Sequence, residues 1–189
     1  PEVQNVNYVL PPKIAPKCMK IYSEPNGGGK EFEVCSSAKR LPFDVKSVRA
    51  NSAYGKFNLF LGEDCDVGYI LSTGVNIKDY YGSGYSNPIM SIYIKDGVRP
   101  EWGCAMLYSD SCHLNMPGLT PVQICDSVRD TSTFNNGWSI DAVKSFKVDN
   151  SILKVEFCLR TDLEFCAEFR GDLLTFRGPS VKSIKITKK

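Results

Sequence analysis

The residues of this chain best equipped for chemistry are eight cysteines (Cys18, Cys35, Cys65, Cys104, Cys112, Cys125, Cys158 and Cys166) and one histidine, His113. Hydrolases and metal enzymes built on imidazole use two or three histidines, or one beside a nucleophile. A single histidine argues against both. Ser109-Asp110-Ser111-Cys112-His113 gathers triad residue types in one stretch, but a triad is assembled in space and this segment reads as a turn. Glu63-Asp64 and Glu164 would be the raw material of a glycosidase pair, and surface turns account for them more simply. Gly27-Gly28-Gly29-Lys30 joins two strand-like runs and precedes no helix, so it does not cradle a phosphate. No Cys-x-x-Cys pair occurs, which disfavours zinc ribbons and thioredoxin-like redox sites. The cysteines are therefore expected to form structural disulfides in an oxidising compartment. The protein is expected to be secreted, extracellular and not an enzyme.

Cysteine spacing carries geometry. Facing residues of a hairpin have numbers with a constant sum. Cys18 and Cys35 centre on Asn26-Gly27, a turn signal, and Cys104 and Cys125 centre on Leu114-Asn115. Both pairs can face each other across a first hairpin, where Cβ atoms come within the ~3.5–4.5 Å a disulfide needs. Cys158 and Cys166 flank Thr161-Asp162-Leu163 and can pair in the same way. Cys65 and Cys112 remain. For them a bridge between domains, two free thiols and a bond between molecules are all open.

At 189 residues the chain is long enough for one large domain or two small ones. Its 42% hydrophobic and 23% charged residues describe a globular protein rather than a disordered one. Lys+Arg of 23 against Asp+Glu of 21 leaves a net charge of +2, without the basic stripe of a nucleic-acid binder. The lysines at 182, 185, 188 and 189 form only a local basic tail. No apolar run approaches the ~18 residues of a membrane-spanning helix. The start at Pro1 rather than Met leads us to expect a trimmed mature chain, and no Asn-x-Ser/Thr glycan acceptor occurs.

The elements that position these residues read as strands. Pro11, Pro12 and Pro16 forbid a helix in residues 1–16, which are expected to form an extended arm able to add a strand to a neighbour. From Lys17 onward, short alternating runs (Lys20–Glu24, Glu31–Cys35, Val45–Ala50, Lys56–Leu61, Gly68–Ser72, Met90–Ile94) are separated by Gly, Asn, Asp and Pro clusters. That spacing predicts an all-β sandwich or barrel. The best short-helix candidate is Gly74–Tyr80.

Internal repetition is the strongest signal. Cys18-Met19-Lys20-Ile21-Tyr22-Ser23-Glu24 recurs as Cys104-Ala105-Met106-Leu107-Tyr108-Ser109-Asp110. Glu33-Val34-Cys35 recurs as Gln123-Ile124-Cys125, and Val45-Lys46-Ser47-Val48 as Val143-Lys144-Ser145-Phe146. The landmarks keep their order, so the chain divides into an arm (1–16), a first domain (17–96), a linker (97–102) and a second domain (103–189) with insertions around Thr131–Trp138. Within the domains, Ile89-Met90-Ser91-Ile92 and Val181-Lys182-Ser183-Ile184 repeat the apolar–x–Ser–apolar segment. Each domain is thus two four-stranded units, and pairing of units supplies the core.

These residues resemble the βγ-crystallin superfamily. The first motif holds Lys20-Ile21-Tyr22-Ser23-Glu24, Gly27–Gly29, Glu31-Phe32 and Val45-Lys46-Ser47. The second holds Phe57–Phe60, Gly68–Leu71, Gly74 and Ile89-Met90-Ser91. The resemblance covers residues 17–95 well and reaches 104–187 mainly through the repeat. There the nearest counterpart of the glycine turn is Met116-Pro117-Gly118. It implies two Greek-key β-sandwich domains, each with a tyrosine packed over a folded hairpin.

The resemblance also implies windows of calcium type ahead of each motif's last strand. Asn87 and Ser91 fit one such window, but Met90 stands where an oxygen is needed. Asp141 and Ser145 fit another, with Lys144 in the ligand position; Lys46 and Lys182 occupy it in the remaining two. A lysine repels a divalent ion, so no cofactor and no strong calcium site are expected. Tyr80, Tyr81 and Tyr85 around Gly82 and Gly84 could stack on a sugar or partner, with core packing the favoured role. Trp102 and Trp138 read as domain-boundary or core residues. The implied function is a secreted, non-enzymatic structural, protective or binding protein that associates with itself or another protein. A secreted toxin, antimicrobial factor or hydrolase inhibitor is the alternative.

Overall fold

A computed structural model of the chain describes residues 5–7, 18–50, 57–66, 69–72, 80–81, 88–129, 134 and 138–189. It is all-β and divides into two compact units, residues 11–97 and residues 1–10 with 98–189. The division after Gly97 falls at the start of the expected linker. The first ten residues group with the later unit.

In the unit of residues 11–97, strands β2 (Met19–Tyr22), β3 (Glu31–Val34), β4 (Ser47–Ala50) and β7 (Tyr80–Tyr81) form one antiparallel sheet in the order β3-β2-β4-β7. Strands β5 (Phe57–Phe60), β6 (Tyr69–Ser72) and β8 (Ser91–Ile94) form the other, ordered β6-β5-β8. Each motif sends its third segment to its partner's sheet. Ala38 of the first motif bridges to Ile92 on β8, and β7 of the second pairs with β4. That exchange makes each motif a Greek key. Residues facing inward from both sheets, Met19, Ile21, Val34, Val48, Phe57, Leu59, Ile92 and Ile94, form one core.

The unit ending at residue 189 repeats the plan. Strands β9 (Ala105–Tyr108), β10 (Val122–Ile124) and β11 (Ser145–Val148) form the first sheet. Strands β12 (Ile152–Cys158), β13 (Cys166–Phe169) and β14 (Ser183–Lys188) form the second. Single bridges, Val128 to Ile184 and Leu173 to Phe146, again exchange the third segments. One addition distinguishes this unit. Strand β1 (Asn5–Asn7) lies antiparallel on β10, completing the order β1-β10-β9-β11. Four phenylalanines, Phe146, Phe157, Phe169 and Phe176, stack edge to face, with neighbouring centroids 4.9–6.0 Å apart. From the insertion, Phe134 and Trp138 join this core, and Trp138 donates its indole N–H to the Thr120 carbonyl.

Two expectations change. The helix over Gly74–Tyr80 lies mostly outside the described residues, and Tyr80 is in a strand because it completes the β4 sheet. Of the two alternatives for Trp102, a core role is excluded, since it is 82% exposed and belongs to neither core.

The turn between β11 and β12 is closed by Asp149. Its Oδ2 accepts the N–H of Gly103 and of Ser151, each at 3.0 Å, and the Ser151 hydroxyl. The Ser151 hydroxyl, followed by the backbone donors, holds the Asp149 carboxyl well below the usual carboxylate range. A carboxyl with a lowered folded pKa stabilises fully above its unfolded value of about 3.9 and loses that contribution as pH falls toward the folded value. Asp149→Asn, with a weaker neutral acceptor, is expected to lower the melting temperature at neutral pH. Thermal melts should show the gap from the parent narrowing in strong acid, near pH 2.

Candidate functional site

Each motif folds its first hairpin back over the sheet, and a buried serine from its last strand holds that fold. The Ser47 hydroxyl donates to the Glu24 carbonyl at 2.6 Å and accepts the Gly27 N–H at 3.0 Å. Ser91 does the same with the Gly62 carbonyl (2.6 Å) and the Cys65 N–H (3.0 Å). Ser145 donates to the Asp110 carbonyl (2.6 Å) and accepts the His113 N–H (3.2 Å). Ser183 donates to the Arg160 carbonyl. All four serines are at most 1% exposed.

The geometry explains an unusual backbone. In each motif the residue three beyond the bonded carbonyl has positive φ: Gly27 at +73°, Cys65 at +55°, His113 at +54° and Leu163 at +65°. Glycine suits the first of these, where the Tyr22 ring lies 3.8 Å from the place a Cβ would occupy. The other three positions carry side chains in a conformation that costs about 1–2 kcal/mol per residue. In the third motif the counterpart of the glycine turn is therefore Cys112-His113, not Met116-Pro117-Gly118. No glycine marked it in the sequence because the serine bond, not the residue type, imposes the turn.

The tyrosines follow the same logic. Tyr22 and Tyr108 are both buried over the folded hairpin. Tyr108 stacks on His113 at 5.2 Å, as Tyr22 covers Gly27. Cations from the equivalent positions of the last strands lie over both rings, Arg49 at 6.0 Å and Lys147 at 5.7 Å.

The stretch 109–113 makes contacts within the fold. Ser109 accepts the Met116 N–H, Ser111 bonds the Thr175 hydroxyl, and Cys112 is disulfide-bonded. His113 is buried, with Nε2 at 2.9 Å from the Phe146 carbonyl and 3.1 Å from that of Leu173. Two carbonyl acceptors require a proton on Nε2. The carboxylates considered for glycosidase chemistry sit in exposed ion pairs, Glu63 with Arg40 at 3.1 Å and Glu164 with Arg160 at 3.4 Å.

Three disulfides, Cys18–Cys35, Cys104–Cys125 and Cys158–Cys166, join facing positions with Cα atoms 4.0 Å apart. Cys158 and Cys166 are register partners of β12 and β13, and the other two bridges lie one step beyond the pairs Met19–Val34 and Ala105–Ile124. Cys65 and Cys112 are also disulfide-bonded, and no cysteine is free.

Of the calcium-type windows, Asn87 lies outside the described residues, as do Gly82, Gly84 and Tyr85. Ser91 and Ser145 are spent on their hairpins, and Asp141 accepts the Ser139 hydroxyl in a 3-10 turn, Ile140–Ala142. Among the described residues, one trio of His, Cys, Asp or Glu side chains has metal-like spacing: Cys18, Glu33 and Cys35. Its two sulfurs are bonded to each other.

No family model and no curated protein matches the chain. Among the solved structures that align with it, two cover most of the chain. Geodin, a βγ-crystallin from Geodia cydonium, is 10% identical over 92% of this chain and 100% of that one, with a TM-score of 0.42. Protein S in complex with calcium is 14% identical over 90% of this chain and 99% of that one, with a TM-score of 0.35. The fold described above rests on the strand order of this chain and not on these likenesses.

Removing a serine bridge leaves a buried N–H and a carbonyl without their partner, at a cost of about 1–3 kcal/mol. Chemical denaturation is expected to show that loss for Ser145→Ala, whereas Ser180→Ala, at an exposed position, should stay within about 0.5 kcal/mol of the parent.

Proposed function

We propose that the chain is a non-enzymatic βγ-crystallin-like protein of an oxidising, extracellular setting, with a structural, protective or binding role. One observation carries this reading: the side chains able to do chemistry are committed to architecture. The four serines hold hairpins, His113 spans two carbonyls and the cysteines are oxidised. Oxidised cysteines in a small domain fit secretion. Strong calcium binding is not part of the reading, since the window serines are engaged and Met90 and Lys144 stand where oxygens are needed. Self-association or a protein partner is. Among the described residues no helix is long and apolar enough to cross a membrane.

A second reading, a secreted toxin, antimicrobial factor or hydrolase inhibitor, draws on the tip of the β12–β13 hairpin. There Leu159 and Phe165 are 49% and 64% exposed beside the Cys158–Cys166 bridge.

Oxidised protein applied to microbial and animal cells separates the readings. We expect unchanged growth and no dye release, together with a cooperative melt that calcium leaves in place and reduction lowers. Growth arrest or dye release would favour the second reading. Substrate turnover abolished by mutation of one acidic residue would overturn the non-enzymatic reading.

A further inference from the structure

The two first sheets are built alike but end differently. In the unit ending at residue 189, β1 covers β10, with Asn5 opposite Ile124, Val6 opposite Gln123 and Asn7 opposite Val122. The three β10 residues are at most 2% exposed. The counterpart of β10 is β3. The repeat aligns Glu33-Val34-Cys35 with Gln123-Ile124-Cys125, and the equivalent disulfides and strand pairs fix the same register. Yet β3 ends its sheet, and among the described residues it pairs only with β2. Glu31, Phe32 and Glu33 are exposed, Phe32 by half. Beside them runs a groove of about 430 Å³ whose lining includes Phe32, Val34, Ala38, Arg40, Leu41 and Pro42.

An open edge of this kind is a template for one more strand. Its charges narrow what can bind. A second β3 laid antiparallel about Phe32 would set Glu31 against Glu33 twice, and like charges directly opposite are unfavourable. Where Gln123 faces Val6, Glu33 would face a residue of the incoming strand, and a cation there is favoured. We propose that β3 is a docking edge for an extended segment of a partner protein, added antiparallel with a lysine or arginine opposite Glu33 and apolar residues against the Phe32–Leu41 groove. The inference goes beyond the proposed function and holds whatever effect the protein has on cells.

The segment known to fit the equivalent edge supplies the probe. Labelled peptides of residues 1–10 with Asn5→Val and Asn7→Val, to set apolar residues opposite Val34 and Phe32, and carrying Val6→Lys or Val6→Glu, are titrated into the full chain and followed by fluorescence anisotropy. The Val6→Lys peptide is expected to bind about two- to five-fold more tightly, the size of a cross-strand charge pair. Glu33→Lys should reverse the order and Glu33→Gln should erase it, with unchanged melts showing that both variants fold. Exchange onto β10 would give no such dependence, because Gln123 is neutral. Absence of saturable binding, or an order that ignores the residue at 33, would overturn the proposal.

Discussion

A serine hydroxyl that donates to one backbone carbonyl is the contact on which each motif turns, and Ser47, Ser91 and Ser145 also accept one backbone N–H. The hydroxyl is small enough to be fully buried and can satisfy a donor and an acceptor at once. Leaving either group unpaired inside the fold would cost more than the bond itself contributes. The bond therefore forces the hairpin to fold back, and the folded hairpin forces positive φ on the residue at its centre. The strain at Cys65, His113 and Leu163 is the consequence. Once the hairpin is folded, it gives the tyrosine of the first strand a floor to pack on, as at Tyr22 and Tyr108.

The same constraint decides what the protein's reactive groups can do. Ser91 and Ser145 turn their hydroxyls inward to Gly62 and Asp110. His113 is held at a turn centre by Ser145 and pinned by two carbonyls that also bridge Phe146 to Leu173. The Cys18–Cys35, Cys104–Cys125 and Cys158–Cys166 disulfides tie the hairpins at facing positions and restrict the unfolded chain.

Much of the fold was legible in the sequence because it is duplicated. The recurrence of Ser47, Ser91, Ser145 and Ser183 in apolar–x–Ser–apolar segments marked the motif ends, and the cysteine sums marked the hairpin centres. The exchanged third segments were not legible. A two-residue strand such as β7, or single bridges at Ala38, Val128 and Leu173, carry no alternating pattern of their own and exist only because the partner sheet offers an edge. The turn at Cys112-His113 was misplaced onto Met116-Pro117-Gly118 for a related reason: local propensity favours glycine, and a buried tertiary bond outweighed it. Residues 1–16 were expected to add a strand to a neighbour, whereas β1 adds to β10 of its own chain. The choice of β10 depended on an edge that only the folded unit presents.

Amide hydrogen exchange at Gly27, Cys65 and His113 tests the serine bridges most directly, since each of these N–H groups sits in a turn with a serine oxygen as its acceptor. The account predicts exchange as slow as that of the adjoining strand amides, lost at His113 alone when Ser145 becomes alanine. Exchange at the rate of open surface loops in the parent protein would contradict it.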